Sequence, residues 1–410
     1  MNQSPNTPAN RVAGDAGRDD RLNRHRRFST LAATLNYSRE RSYAGYDYSD
    51  GLSSEILERL PVSNKWVDIL FQESAKRAPI NIRPALLIPR RRSFKGTALF
   101  VLANVGAYEL TGRSEYLDEA SELLDWLLAR RRESPFGWGH NHDVQMLEEK
   151  TPRNTPSIVT NCYAMRAVFR TASHTDAPGY ELVRDRMPGF VTDDLDYTSA
   201  DPGSRIKYRP TAGEDSYVLN ANALGARVLL DLYGEVGDRS FRDRAEEILD
   251  YVAARQHRLG GWKYTDPPSA SHLSMDSHHN GFIVESFLRY NDLTDSHRYA
   301  ETLDAGLRFY KNVLFEPDGT PNWDESSSYP KDIHAVAQGI LTFTMADDVE
   351  FAEQIVSWAL DNLYAGSGQF YYRQERFYTR SYTLMRWCQA WMAYALSEFC
   401  LAKEDARERS

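Results

Sequence analysis

The fold is decided by a glycine-rich turn that reads Gly260-Gly261-Trp262-Lys263-Tyr264 and that separates two amphipathic helical stretches. Four other turns share this character, because each carries an aromatic residue at its tip between two helical stretches. They read Gly137-Trp138-Gly139-His140, Ile206-Lys207-Tyr208, Gly319-Thr320-Pro321-Asn322-Trp323 and Gly366-Ser367-Gly368-Gln369-Phe370. This recurrence is typical of a repeated two-helix hairpin, and such hairpins stack because one hairpin cannot bury its apolar face alone.

Two kinds of helix alternate along the chain. The first kind is apolar on most sides, as in residues 98–103, which indicates packing on several faces. The second kind is apolar on one face only, as at positions 241, 245, 248 and 252. The first kind begins near Phe94, Ser157, Glu214, Asp276, Tyr329 and Tyr382, and the second near Glu115, Gly179, Ser240, Ser296 and Asp348.

Six inner helices and five outer ones leave one outer position to fill. We predict that a helix over residues 53–76 fills it by packing beside the C-terminal inner helix, residues 382–402. The chain is then an all-α, closed (α/α)6 toroid of six helical hairpins, and an open superhelix of helix pairs is the alternative. We expect a disordered tail over 1–28, one toroid domain over 29–402 and a charged tail over 403–410.

Composition excludes some classes of protein. The chain has 410 residues and a net charge of −9, which argues against a nucleic-acid partner because such proteins carry a basic face. No apolar run reaches the roughly 18 residues of a membrane span. The run that follows Arg26-Arg27 is too short and polar for an export signal, so we expect a soluble, cytoplasmic protein.

A ring of this kind brings the N-termini of its inner helices to one funnel, where free N–H groups favour anionic ligands. Polar residues recur at these helix starts. An Asp there is most often a helix N-cap, a lone His is most often structural, and the tip aromatics are most often plugs between hairpins. The recurrence of Asp with His in separate repeats favours a site instead.

Carboxylates, imidazoles, guanidinium groups and aromatic walls together suit a carbohydrate, with Arg pairing a uronate carboxylate or a phosphate. Hydrolysis would use two carboxylates, Asp276 and Asp332. Epimerisation or β-elimination of a uronate would use an acid and a base, for which His279, His334 and Tyr382 are candidates. The candidates for substrate binding are His140, His142, Asp143, Arg153, Tyr217, Asn220, Asn222, Trp262, Arg373 and Arg386, with the last two as anion contacts.

A metal site is a further alternative, in which His140, His142 and Asp143 would act with Asp276 and His279. The sequence lacks a His-x-x-x-His pair on one helix, so we expect no metal and no other cofactor. Two non-catalytic interpretations also stay open. One is a glycan-binding or scaffold protein that retains the toroid, and the other is a helical protein-interaction scaffold with a flat apolar surface.

The chain also carries a series of short motifs from Tyr43 to Leu401. They are Tyr43-x-Gly45-Tyr46-Asp47-x-x-Asp50-Gly51-Leu52, Pro79-x-Asn81-x-Arg83-Pro84, Lys95-Gly96, Trp138-Gly139, Asn220-x-Asn222, Gly261-Trp262-x-Tyr264, Asp276-x-x-His279-x-Gly281-Phe282, Asp332-x-His334-x-x-Ala337-Gln338 and Met385-Arg386-Trp387-x-Gln389-Ala390-Trp391-Met392. In these motifs the chain resembles a family of toroid proteins encoded among genes for surface-polysaccharide and glycoprotein-glycan assembly, and it looks close to the haloarchaeal member linked to the surface-layer N-glycan.

The resemblance implies a fold related to six-hairpin glycosidases, unsaturated glucuronyl hydrolases and glucuronyl C5-epimerases. It implies a role in protein N-glycosylation or surface glycan assembly on a nucleotide- or lipid-linked sugar, with room for peripheral association with membrane-bound glycan-assembly enzymes. Some members carry the label aminolevulinate dehydratase, which we reject here because that enzyme is a β/α barrel and this chain shows no alternating strands. The chain departs from the family form at 140–143, where His-Asn-His-Asp replaces an aromatic-rich stretch.

Overall fold

The computed structural model describes residues 27–61, 64–147, 149–177, 179–213 and 216–409. Fourteen α-helices lie in these ranges. They are α1 (27–39), α2 (Glu55–Arg59), α3 (Lys65–Arg77), α4 (Phe94–Thr111), α5 (Ser114–Leu128), α6 (Ile158–Ala172), α7 (Tyr180–Gly189), α8 (Leu219–Val236), α9 (Arg239–Ala253), α10 (Ser277–Thr294), α11 (Ala300–Val313), α12 (Ile333–Met345), α13 (Val349–Asn362) and α14 (Trp391–Glu408). A π-helical turn, Met385–Ala390, leads into α14.

Six of these helices form a closed inner ring. α4, α6, α8, α10, α12 and α14 each pack against the next, and α14 packs against α4. α5, α7, α9, α11 and α13 each pack against the inner helix that precedes them. The inner helices are buried on most sides, as the apolar sequence of residues 98–103 requires. The predicted closed toroid of alternating inner and outer helices is therefore confirmed.

The helix that completes the outer ring is α1. The prediction that one helix over residues 53–76 fills this position is wrong. Arg27 at the start of α1 pairs with Glu353 of α13 at 2.7 Å, and Arg39 at its end pairs with Glu119 of α5 at 3.0 Å. α1 thus joins the last outer helix to the first. Residues 53–76 are split because Pro61 disfavours a helical conformation of the residue before it.

Around this break the chain forms a 3-10 turn, Asp50–Ser53, followed by α2 and α3. α3 packs on the 3-10 turn. Of the predicted disordered tail, only residues 27 and 28 are described, and both belong to α1. Residues 1–26 lie outside the described ranges.

Short strands occupy the connections between helices. They form seven antiparallel sheets in the described ranges, with six strand pairs and one three-stranded sheet. The pairs are Ala44–Gly45 with Arg91–Arg92, Arg132–Glu133 with Phe136–Gly137, Val144–Gln145 with Lys150–Thr151, Thr198–Ser199 with Ser204–Arg205, Tyr217–Val218 with Thr265–Asp266, and Tyr364–Gly366 with Gln369–Phe370. The three-stranded sheet joins Lys331–Asp332, Arg373–Gln374 and Thr379–Arg380.

Three of the aromatic tips are plugs that hold a hairpin to the ring. Trp138, Trp262 and Phe370 are fully or almost fully buried. The backbone N–H of each donates to a side-chain amide oxygen on the inner helix that follows or, for Phe370, on the π-helical turn that leads into that helix. The acceptors are Oδ1 of Asn161 at 3.0 Å, Oδ1 of Asn280 at 2.7 Å and Oε1 of Gln389 at 2.8 Å. The amide that begins each inner helix therefore fixes the turn before it.

We expect Asn280→Ala to lower the free energy of unfolding by about 1–3 kcal/mol, because it leaves the buried N–H of Trp262 without its acceptor. Urea denaturation measures the change. Asn362→Ala on the exposed end of α13 is the matched control, and we expect less than about 0.5 kcal/mol there. An equal effect in the two variants would contradict the anchoring role of Asn280.

Candidate functional site

Two aspartates begin neighbouring inner helices. Oδ1 of Asp276 accepts the backbone N–H of His279 at 2.9 Å, and Oδ1 of Asp332 accepts that of His334 at 2.8 Å. Both aspartates are therefore N-caps, of α10 and α12. Each also has further contacts that capping does not require, and these contacts assemble a site.

Asp276 holds two imidazoles. Its Oδ2 lies 2.6 Å from Nδ1 of His279, and its Oδ1 lies 3.3 Å from Nδ1 of His278. Burial alone would raise the pKa of Asp276, but the two histidines and the hydrogen bonds outweigh it and lower this pKa to about 2. An ionised carboxylate accepts the Nδ1 proton of His279, which leaves Nε2 of that ring as a base.

A third imidazole completes what we call the imidazole cluster, formed by His278, His279 and His334. The rings of His278 and His334 are stacked with their centroids 4.7 Å apart. Trp387 and Trp391 each lie 4.5 Å from the ring of His334. Within the described residues, neither ring nitrogen of His334 has a hydrogen-bond partner.

The imidazole cluster is uncharged at neutral pH at two of its positions. Burial lowers the pKa of His278 to about 3 and holds that of His334 well below its ordinary value. His278 and His279 keep 14% and 18% of their side-chain surface exposed, so a ligand can reach them. A neutral imidazole of this kind is not an acid at neutral pH, so the rings of His278 and His334 line the site. His279, oriented by Asp276, is the candidate base.

Asp332 supplies the complementary acid. Its Oδ1 also accepts the indole N–H of Trp387 at 2.8 Å, and its buried Oδ2 has no partner among the described residues. Burial raises the pKa of Asp332 to about 6, although the nearby Arg373 charge opposes this. Asp276 and Asp332 thus have pKa values that differ by several units, which is typical of carboxyl groups with separate roles.

The two predicted anion contacts already have carboxylate partners. Arg386 makes a bidentate ion pair with Asp47, with Nε and Nη2 at 2.5 to 2.9 Å from the carboxylate oxygens. Arg373 lies 3.0 Å from Glu375, and its strand pairs with that of Asp332. Arg386 therefore ties the Asp47 loop to the start of α14, and Arg373 acts on Asp332 by its charge.

His140 and His142 lie beside this ion pair, with ring centroids 5.3 Å apart. Nε2 of His142 lies 3.0 Å from Oγ of Ser49. Burial lowers the pKa of both histidines, that of His142 to about 4. Their electrostatic influence on Asp47 places them on the side of the funnel that faces Arg386.

The other predicted binding residues hold the hairpins. Asp143 accepts the backbone N–H of the exposed Arg153 at 2.8 Å. The Arg205 guanidinium lies 3.9 Å above the ring of Tyr217. The amide of Asn222 bonds both backbone groups of Ile206, as Asn280 does for Trp262.

Two further predicted residues, one buried and one half-buried, each have a buried oxygen without a hydrogen-bond partner among the described residues. They are Asn220, through Oδ1, and Tyr382, through its hydroxyl. Glu214, where the sequence predicted the start of an inner helix, lies outside the described residues.

Sequence reasoning missed four residues of the site, namely Asp47, Lys95, His278 and Trp387. All but His278 stand in the motifs that carry the family resemblance, so a signal was present. His278 adjoins His279, but helical spacing places neighbouring residues on different faces. Here Asp276 reaches both rings because it caps the helix and is not part of it.

Asp276, His278 and His279 also form the one group of three potential metal ligands in the described ranges, with ligand atoms within 4.8 Å of one another. This set differs from the one that the sequence suggested, since His140, His142 and Asp143 lie outside it. The same atoms already bond each other, which gives the group a role that needs no ion. The expectation of no metal stays a prediction.

We expect acid to destabilise the protein through His278. Its folded pKa of about 3 lies below its ordinary value of 6.5, so the unfolded state binds more protons between these values. Stability is present above pH 6.5 and falls as the pH drops, by about 1.4 kcal/mol per unit for such a group. Urea unfolding at pH 7 and pH 5 should show a smaller loss in His278→Gln than in the wild type, whereas an equal loss would contradict a buried neutral imidazole.

Comparisons with known proteins identify the fold by its similarity to solved structures. No protein-family profile matches the chain, and neither does any curated protein. Solved structures do match. Cellobiose 2-epimerase from Spirochaeta thermophila has a TM-score of 0.61 at 11% identity, covering 77% of this chain and 87% of that one. The fold is the six-hairpin (α/α)6 toroid.

Two glycoside hydrolases match equally well. An unsaturated glucuronyl hydrolase specific for heparin has a TM-score of 0.60 at 12% identity, covering 92% of this chain and 97% of that one. The GH76 α-mannanase of Bacteroides thetaiotaomicron has a TM-score of 0.59 at 13% identity, covering 77% and 88%. At these identities the likeness shows the fold alone. No described helix has both the length and the apolar character needed to cross a membrane.

Proposed function

We propose that this protein is a carbohydrate-active enzyme that moves a proton on a sugar, in the manner of an epimerase or isomerase. The observation that carries the proposal is the Asp276–His279 contact of 2.6 Å within the imidazole cluster. His279 then removes a proton from a carbon next to a carbonyl or carboxylate group. The resulting imidazolium of His279 returns the proton to that carbon or to the neighbouring one, and protonated Asp332 is placed to polarise the carbonyl oxygen.

Hydrolysis by two carboxylates is supported less well by the same contacts. It requires one protonated carboxyl group and one ionised carboxylate that is available to attack or to activate water. Asp332 suits the first role. Both oxygens of Asp276 are occupied by His278 and His279, so its geometry serves to orient imidazoles.

Glycoside hydrolysis is nevertheless the second candidate, because the pKa of Asp332 is raised to about 6 and its Oδ2 lacks a partner among the described residues. Trp387 next to His334 keeps 9% of its surface exposed and is an aromatic ring of the kind that sugars pack against, whereas Trp391 is fully enclosed. The wider setting that we propose, a step in surface glycan or N-glycan assembly on a nucleotide- or lipid-linked sugar, rests on the sequence motifs.

The test is incubation of the purified protein with a panel of reducing hexoses, hexuronates and disaccharides, followed by chromatography for isomers and for cleaved products. We expect isomer formation in the wild type and none in His279→Gln. His297→Gln, which changes an exposed histidine, is the control and should keep full activity. Cleavage without isomer formation would replace the proposal with the hydrolase candidate.

A non-catalytic glycan-binding protein is the remaining alternative from another class. It predicts that sugars bind while neither isomers nor cleaved products form. Asp276→Asn and Asp332→Asn should then leave the glycan composition of the cell unchanged although the variants remain folded.

A further inference from the structure

One cation in the funnel has no counter-ion. Lys95 lies in the first turn of α4 and is only 8% exposed. In the described part of the chain no carboxylate pairs with its ammonium group and no acceptor takes a hydrogen bond from it. Its Nζ lies 5.8 Å from the ring centre of Trp391, the same ring that covers His334.

The groups around Lys95 belong to the proposed site. Its charge acts on His140, His278 and His334, and Arg386 and Asp47 act on Lys95 in turn. The three histidines have lowered pKa values and bring no negative charge. Asp47 is already taken up by its bidentate pair with Arg386. Lys95 is therefore a cation of this funnel whose ammonium group has neither a carboxylate partner nor a hydrogen-bond acceptor among the described residues.

A buried ammonium group without a partner is costly, and a protein retains one where a ligand completes it. Burial and the Arg386 charge lower the pKa of Lys95, and a bound anion would restore its charged form. Sugar hydroxyls would stabilise the charged form of Lys95 less than an anion does. An anion forms a hydrogen bond with charge on both partners, and charge-assisted hydrogen bonds are roughly twice as strong as neutral ones.

We propose that Lys95 binds a negatively charged group of the sugar, a carboxylate or a phosphate. The inference rests on the proposed function and names its substrate class as anionic sugars. Lys95 thereby takes the role of anion contact that the sequence suggested for Arg386 and Arg373, because both arginines are paired with carboxylates of the protein. Lys95 is a substrate-binding residue in this account, and proton transfer stays with the imidazole cluster.

The experiment measures binding by calorimetry for three matched probes, D-glucuronate, glucose 6-phosphate and uncharged D-glucose. It uses the wild type and Lys95→Met, which keeps the length of the side chain and removes the charge. We expect the wild type to bind one of the two anionic probes about tenfold or more tightly than glucose. Whichever anion is preferred identifies the group as a carboxylate or a phosphate.

In Lys95→Met we expect that preference to fall to about one, with the affinity for glucose unchanged. The melting temperature of the ligand-free variant should equal or exceed that of the wild type, because the substitution removes a buried, unpaired charge. Lys65→Met, which changes an exposed lysine on α3, is the control and should retain the preference.

Three results would overturn the proposal. The first is a wild type that shows no preference for either anionic probe, and the second is a Lys95→Met variant that keeps the preference. The third is a Lys95→Met variant that melts earlier and binds all three probes equally weakly, which would make Lys95 a structural residue. Failure of the proposed function looks different, because anionic sugars would then bind through Lys95 and no isomer would form.

Discussion

Asp276→Asn is expected to lower the rate of sugar interconversion by roughly 10³–10⁴-fold, the scale known for an aspartate that orients a catalytic imidazole. An amide can donate where the carboxylate accepts, so the Nδ1 proton of His279 moves to Nε2 and the base is lost. Asparagine remains a good N-cap, so α10 should keep its start and the protein should stay folded. Isomer formation measures the rate, and circular dichroism monitors the fold.

Asp238→Asn is the matched control for this substitution. Asp238 caps α9 by accepting the backbone N–H of Ser240 at 2.9 Å, and no imidazole contacts it. We expect that variant to keep the activity of the wild type. If Asp276→Asn also kept it, Asp276 would be a helix cap and no more.

Arg386→Gln is expected to lower the free energy of unfolding by about 3–5 kcal/mol, the cost of leaving one partner of a buried ion pair uncompensated. The guanidinium is 3% exposed and lies between the Asp47 loop and the start of α14. Its loss should loosen the point at which the C-terminal inner helix meets the N-terminal segment. Urea denaturation at pH 7 measures the change.

A control variant and a double variant test whether the loss of stability in Arg386→Gln comes from the buried ion pair. Arg298→Gln breaks a partly exposed pair with Asp250 and should cost less than about 1 kcal/mol. The double variant Asp47→Asn with Arg386→Gln should be more stable than Arg386→Gln alone, because no buried charge is left unpaired. An additive loss in the double variant would contradict direct coupling of these two residues.

The same pair has a defined pH dependence. Burial raises the pKa of Asp47, but Arg386 outweighs it and lowers this pKa below the ordinary value of 3.8. The stabilisation is therefore present above pH 3.8 and is lost as the pH falls below it. The difference in the free energy of unfolding between the wild type and Arg386→Gln should therefore become smaller as the pH falls below 3.8.

The architecture could be predicted because it depends on patterns within short stretches of the sequence. The glycine-rich turns and the alternation of apolar and amphipathic helices gave the inner ring, its closure and the plug role of Trp138 and Trp262. The closing outer helix could not be assigned in the same way. Its sequence, residues 27–39, begins where a polar tail ends, and the choice between it and 53–76 depended on Pro61 and on contacts with Glu353 and Glu119.

The sequence predicted the site residues that stand at the starts of inner helices. It did not predict which of the site residues form ion pairs with each other. Asp276, His279, Asp332 and His334 come together because each stands at the same place in its repeat. The partner of Arg386 could not be read from the sequence, because Asp47 lies in the N-terminal loop and meets it only when the ring closes. Lys95 belongs to the Lys95-Gly96 motif, but that motif alone did not mark it as a site residue, since a lysine in an apolar helix is unusual only once its burial is known.

The central claim is that the imidazole cluster transfers a proton on a sugar, and solvent isotope incorporation tests it most directly. Each sugar of the panel is incubated with the protein in D2O, and proton NMR follows the C–H next to the carbonyl or carboxylate group. We predict that this proton is replaced by deuterium in the wild type and retained in His279→Gln. Full retention of that C–H in the wild type, across reducing hexoses and hexuronates alike, would contradict the account.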